Sequence, residues 1–136
     1  MKKFFIVLAL LVIGGLFVRF IVGREKDAWV CKGGNWIKEG NPSNSPPQQA
    51  CLTYFWGNGC PHCQNVDNFL AGWDKKDRVT LDKYEVWYNK KNNQLMQEAY
   101  KKCGIEAKNM GVPLLITPEE KCLTGDTPII EYFKGL

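Results

Sequence analysis

Histidine is almost missing from this chain of 136 residues; His62 is the only one. It lies between Cys60 and Cys63, and these three side chains are too close in sequence to ligate one ion together comfortably. Cys103 and Cys122 lack the paired spacing of structural zinc ligands. No metal and no cofactor is therefore expected. An excess of either charge is also lacking once the N-terminus is set aside. Residues 1–27 carry Lys2, Lys3, Arg19, Arg24 and Lys26 against Glu25 and Asp27, which is most of the net charge of +4. The other residues hold 13 basic and 12 acidic side chains, interleaved as in Asp74-Lys75-Lys76-Asp77-Arg78. Without clustered Lys and Arg there is no face to neutralise phosphates, so nucleic acid is excluded as a partner.

Also missing is a processing site after the apolar N-terminus. Phe4 to Val22 is a run of 19 residues broken by one charge, Arg19, close to the length a spanning helix needs. The residues that end it (Phe17, Val18, Arg19, Phe20, Ile21, Val22) are mostly bulky, and Ala28-Trp29-Val30-Cys31 lacks the small residue of a lipoprotein signal. Residues 1–27 are therefore expected to be a retained membrane anchor, with Arg19 reaching the interface. Basic residues flank both ends, so the charge rule barely orients the span. The six cysteines, numerous for this length, favour a domain outside the cytoplasm.

Residues 28–50 read as a small flap and a tether. Two short β-prone runs flank Gly33-Gly34-Asn35, whose residues tolerate positive φ. Trp29, Val30, Trp36 and Ile37 give the flap apolar area either to pack on the main domain or to face a substrate. The Pro/Ser-rich stretch Asn41 to Ala50 follows as a partly extended tether with no core of its own.

Residues 51–136 read as an α/β domain. Leu52 to Trp56 is a buried strand by content, and Pro61 suits the first turn of the following helix, whose apolar face is Val66, Phe69, Leu70 and Trp73. Arg78 to Tyr88 is expected as a strand with an irregularity near Asp82-Lys83. Gln94 to Cys103 is expected as a helix capped by Asn92 or Asn93 and ended by Gly104. Leu114 to Thr117 and Lys121 to Thr124 are short strands around Pro118-Glu119-Glu120. A last helix, capped by Asp126 or Thr127, turns Ile129, Ile130 and Phe133 inward. The order is β-α-β-α-β-β-α.

A strand feeding Cys60-Pro61-His62-Cys63 at a helix start, then a β-α unit, then Gly111-Val112-Pro113 before a hairpin and a final helix, resembles the thioredoxin-like superfamily. The resemblance spans residues 51–136. With no β-α unit ahead of Cys51, it is closer to the compact glutaredoxin-type core than to full thioredoxin. The Pro61-His62 dipeptide is similar to that of DsbA-like disulfide oxidants, although their long helical insertion is absent. The resemblance implies that Pro113 is the cis-proline beside the active cysteines, with the Val112 backbone pairing with an extended substrate. Tyr54 stands where thioredoxins keep a buried acid, and the four other cysteines lie outside the shared pattern.

The motif's chemistry follows from its placement. A thiolate at a helix N-terminus is favoured by backbone N–H groups and the dipole, which makes Cys60 the attacking and better-leaving sulfur. Cys63, one turn on, is the resolving thiol. His62 can stabilise the Cys60 thiolate, which stabilises the reduced pair and makes it a stronger oxidant. Cys103 and Cys122 flank Pro113 in sequence, where a bond would clip the second helix to the hairpin. Cys31 and Cys51 could tie the flap to the first strand. Six cysteines permit many connectivities, so both pairs are expectations; a small apolar role on the helix face is the competing reading for Cys103.

The expected function is that of a membrane-tethered thiol–disulfide oxidoreductase, single-pass with its domain extracytoplasmic. It would act on thiols or disulfides of protein substrates and be reset by a redox partner that the sequence does not name. The direction leans toward disulfide formation or isomerisation. The alternatives are a reductase, including one that reduces apoproteins for heme or metal delivery, and a non-catalytic binding module.

Overall fold

The run from Ala50 to Trp56 is the strand around which the sheet is assembled, and its content explains why. Alternate side chains of a strand leave on opposite faces, so a strand covered on both is apolar at nearly every position. The computed structural model describes residues 27–136. The elements are β1 (Ala28–Lys32), β2 (Asn35–Glu39), β3 (Ala50–Trp56), α1 (Pro61–Gly72), β4 (Val79–Glu85), α2 (Lys90–Lys102), β5 (Leu114–Ile116), β6 (Cys122–Thr124) and α3 (Asp126–Lys134). Single 3-10 turns lie at Lys76–Arg78 and Ala107–Asn109. From β3 onward the order is β-α-β-α-β-β-α, a mixed α/β architecture with a four-stranded sheet and three helices.

The sheet runs β4-β3-β5-β6. β3 pairs parallel with β4, which requires the crossover that α1 supplies, and antiparallel with β5. β5 and β6 form a hairpin. Leu52 and Tyr54 face a core with Val66, Trp73, Leu115, Leu123, Ile129 and Phe133, which places α1 and α3 on that side. Phe55 and Leu114 face the other, against Val86 and the Met96, Ala99 and Tyr100 stripe of α2. Helices thus cover both faces, and the C-terminal end of β3 delivers the chain to Cys60.

Three local expectations are corrected. β4 ends at Glu85 rather than Tyr88, and its pairing with β3 runs unbroken through Asp82 and Lys83. The polar residues that suggested an irregularity have partners on either side of the strand. Asp82 accepts from Gly33 N (2.8 Å) and Tyr84 Oη (2.6 Å), and Lys83 Nζ meets Asp67 Oδ1 at 2.9 Å. The second helix begins earlier, at Lys90, because Asn89 and not Asn92 or Asn93 is its cap; Asn89 Oδ1 accepts from Asn92 N at 3.1 Å. The other two asparagines donate to strand-end carbonyls, Asn92 to Glu85 O (2.9 Å) and Asn93 to Val86 O (3.3 Å). The last helix starts after Gly125, with φ +84°, and not with a side-chain cap from Asp126 or Thr127.

The expected membrane anchor falls on residues 1–27 and so lies, apart from Asp27, outside the described residues. Among the described residues no helix is long and apolar enough to cross a membrane.

The flap is a two-stranded antiparallel hairpin turning at Gly33 and Gly34, which take φ of +58° and +81°. Such a ribbon is weak alone, and here it is fastened to the sheet. Cys31 bonds to Cys51 on β3, and Gly33 N donates to Asp82. The tether is also held: the indoles of Trp29 and Trp36 donate to Asn44 O (2.8 Å) and Gln49 O (2.9 Å). Of the flap's apolar residues, Trp36 is half-buried, while Ile37 is 45% exposed.

Tyr54 is fully buried, and its hydroxyl has no hydrogen-bond partner. Burial, with the Asp67 carboxylate nearby, pushes its phenol well above the ordinary range, so it stays neutral. A buried hydroxyl without a partner costs stability that an apolar isostere avoids. Tyr54→Phe should therefore leave stability unchanged or raise it by up to ~1 kcal/mol in urea unfolding. A clear fall would show that the hydroxyl has a partner after all.

Candidate redox site

The first turn of α1 begins at Cys60, which occupies its N-cap with extended dihedrals (φ −74°, ψ 117°). Pro61 follows at a position where a missing N–H is harmless. Cys60 Sγ accepts from Cys63 N at 3.1 Å, the place a capping oxygen would take. Cys60 and Cys63 are joined by a disulfide with Cα atoms 5.2 Å apart, and both residues are buried. In the reduced state the same N–H would point at the Cys60 sulfur, and a helix N-terminus favours negative charge there.

The loop before Cys60 is built to hold it. Cys60 N donates to Gly57 O at 3.1 Å. A Cβ at Gly57 would overlap the indole of Trp87, which would have to move to admit one. Glu85 closes this region: its carboxylate accepts from Asn58 N (3.3 Å), Trp87 N (2.9 Å) and Tyr88 N (3.0 Å). Partial desolvation works against the Glu85 charge, but these donors outweigh it and hold the carboxyl below its usual range. Trp87 and Tyr88 remain 52% and 80% exposed, so two aromatic rings stand in solvent beside the cysteine loop.

Val112-Pro113 lies against the same cysteine. Val112 O is 3.7 Å from Cys60 Sγ, within reach of a thiol donor once the disulfide is opened. The Val112–Pro113 peptide is cis, and Pro113 is fully buried. Two bonds fix the loop: Tyr100 Oη both donates to Gly111 O (2.6 Å) and accepts from Gly111 N (3.1 Å). Gly125 N donates to Pro113 O at 2.9 Å, which ties the loop to the start of α3. The structure therefore brings Cys60, Cys63, Val112 and Pro113 together, although the motif and the loop are some fifty residues apart.

His62 is 67% exposed, and its Nδ1 is 3.2 Å from Asp126 Oδ2 at the start of α3. The same oxygen accepts from Asn65 Nδ2 at 2.6 Å. The Asn65 amide, followed by His62, holds the Asp126 carboxyl down at about 2. Neither Asp126 nor Asn65 stood out in the sequence, where Asp126 reads as a helix start. Glu85 and Trp87 were also missed as supports of the loop; the nearest signal was the abrupt end of the β-pattern at Glu85.

The remaining cysteines form Cys31–Cys51 and Cys103–Cys122, with Cα separations of 5.4 and 6.0 Å. The second bond joins the end of α2 to β6. It lies in the wall of a cleft of about 500 Å³ between the flap turn, α2 and the hairpin, lined also by Phe55, Tyr84, Leu95 and Lys102. The Cys60–Cys63 pair does not line that cleft. Among the described residues no group of three His, Cys, Asp or Glu side chains is arranged to hold a metal.

Neither a protein-family model nor a curated protein matches the chain. Among solved structures, a structural-genomics crystal structure of a protein from Agrobacterium tumefaciens aligns at 18% identity with a TM-score of 0.48. It covers 62% of this chain, which spans only 43% of that one. A likeness of this extent assigns neither topology nor activity.

Proposed function

We propose that this protein is a thiol–disulfide oxidoreductase of thioredoxin-like fold, tethered to a membrane by residues 4–22 and acting on cysteines of extracytoplasmic proteins. The observation that carries the reading is the Cys60–Cys63 disulfide at a helix N-cap, with Val112 O 3.7 Å from the first sulfur. A static staple gains little from closing so short a ring, whereas a reversible one needs what is present here. One sulfur sits where a thiolate is favoured, its partner is one turn away, and the Val112 carbonyl stands beside them.

The reaction is an exchange. A substrate thiolate attacks the Cys60 sulfur and releases the Cys63 thiolate, forming a mixed disulfide. The substrate's second thiolate then breaks that bond, so the substrate is oxidised and the Cys60–Cys63 pair is reduced by two electrons. Run backwards, the same steps reduce a substrate. The N-terminal position of Cys60 and the adjacent His62 stabilise the reduced form, which favours the oxidising or isomerising direction.

Equilibration of the full chain with glutathione buffers tests the direction. A reduction potential above roughly −200 mV is expected, nearer the isomerases and oxidants than the cytosolic reductants. A value near that of the cytosolic reductants would turn the assignment to a reductase, including one that serves heme or metal delivery.

A further inference from the structure

Asp126 is the one carboxylate that meets His62 among the described ion pairs, and it reaches it from another element. Oδ2 accepts from Asn65 Nδ2 (2.6 Å) and faces His62 Nδ1 (3.2 Å), while Oδ1 accepts from Thr127 N (3.1 Å). The side chain is only 20% exposed, although His62 is 67% exposed. The residue before it, Gly125, is bonded through its N–H to Pro113 O. One short segment, Gly125-Asp126, thus grips both the loop beside Cys60 and the histidine two residues after it.

We infer that Asp126 is a positioning residue that tempers the oxidising power of the Cys60–Cys63 pair by holding His62 through Nδ1 and placing a counter-charge beside it. The inference rests on the redox reading above. For either fixed protonation state of His62 its sign is the same. With the imidazole charged, Asp126 turns the cluster from positive to neutral; with the imidazole neutral, it turns the cluster from neutral to negative. In both states the cluster is one unit more negative than it would be without the carboxylate. A Cys60 thiolate in the same helical turn is therefore less stabilised, and the disulfide is less readily reduced. Asn65 secures the carboxylate in this place.

The protein as a full chain is equilibrated with reduced and oxidised glutathione, and the Cys60 thiolate is followed by its ultraviolet absorbance as pH is varied. The equilibrium measured is disulfide plus two glutathione thiols giving dithiol plus glutathione disulfide, with electrons and protons balanced on both sides. Asp126→Asn is expected to shift it roughly threefold to tenfold toward the dithiol and to lower the pH at which Cys60 ionises. Asp126→Ser is a second neutral variant with the same expectation. Asp126→Glu keeps the charge and should stay close to the wild-type equilibrium. An unchanged equilibrium in either folded neutral variant, or an equal shift in the Glu variant, overturns the inference. A wild-type protein with no exchange at all overturns the redox reading instead, so the two failures are distinguishable.

Discussion

Cys60→Ser should lower disulfide exchange by roughly a thousandfold or more while leaving the fold intact. The loss follows from removing the sulfur that sits at the helix N-cap and faces Val112 O. The fold should survive because serine is itself a favoured N-cap, and its oxygen can take over the bond from Cys63 N that Cys60 Sγ now accepts. The neighbouring Cys63→Ser should behave differently: Cys60 can still attack, but the mixed disulfide has no resolving thiol and should accumulate as a covalent adduct. Exchange assays on a disulfide-bonded peptide, with non-reducing electrophoresis of the Cys63 variant, read both outcomes. Retention of every function by Cys60→Ser would sink the enzyme and leave a binding module as the better account.

The second large effect concerns stability. Replacing Cys31 and Cys51 together by serine should cost about 3 kcal/mol, the entropic value for a closed loop of this size, whose cysteines are 20 residues apart. The consequence should be greatest in the flap. Without the bond, β1 and β2 keep the Gly33 N–Asp82 hydrogen bond and the two indole bonds to the tether, little for a ribbon that is marginal alone. Urea unfolding measures the loss, and limited proteolysis should show new cutting between residues 41 and 49. Exchange at Cys60 should persist at temperatures where the variant is folded, since the flap bond meets β3 at Cys51, the far end from the redox loop. Stability equal to wild type would mean that the hairpin packs without its staple.

Much of the domain was legible because its signals are local. The mostly apolar run before Gly57-Asn58-Gly59 marks a strand covered on both faces, and the Met96, Ala99 and Tyr100 stripe marks a helix that covers one. Glycines at 33 and 34 mark a tight reversal, which the positive φ at both bears out. The misjudged positions were those where a local rule had more than one applicant. Asn89, Asn92 and Asn93 can all cap a helix by composition. Only the packing of α2 against the end of β4 gives two of them carbonyl partners and leaves the third as the cap.

The site divides along the same line. Sequence alone determined that Cys60 begins a helix after a buried strand, that Pro61 suits its first turn and that His62 stands between the cysteines. These facts depend on neighbours a few residues apart and on backbone geometry that repeats everywhere. Only the tertiary structure decided what meets them: Val112 O on the Cys60 sulfur, Trp87 over Gly57, and Asp126 on His62 from a helix more than sixty residues on. The reason is physical. Residue spacing sets which face of an element is apolar, but a charge or carbonyl reaches a thiol only through the packing of α1 against α3 and the pairing of β3 with β5, which no local spacing encodes.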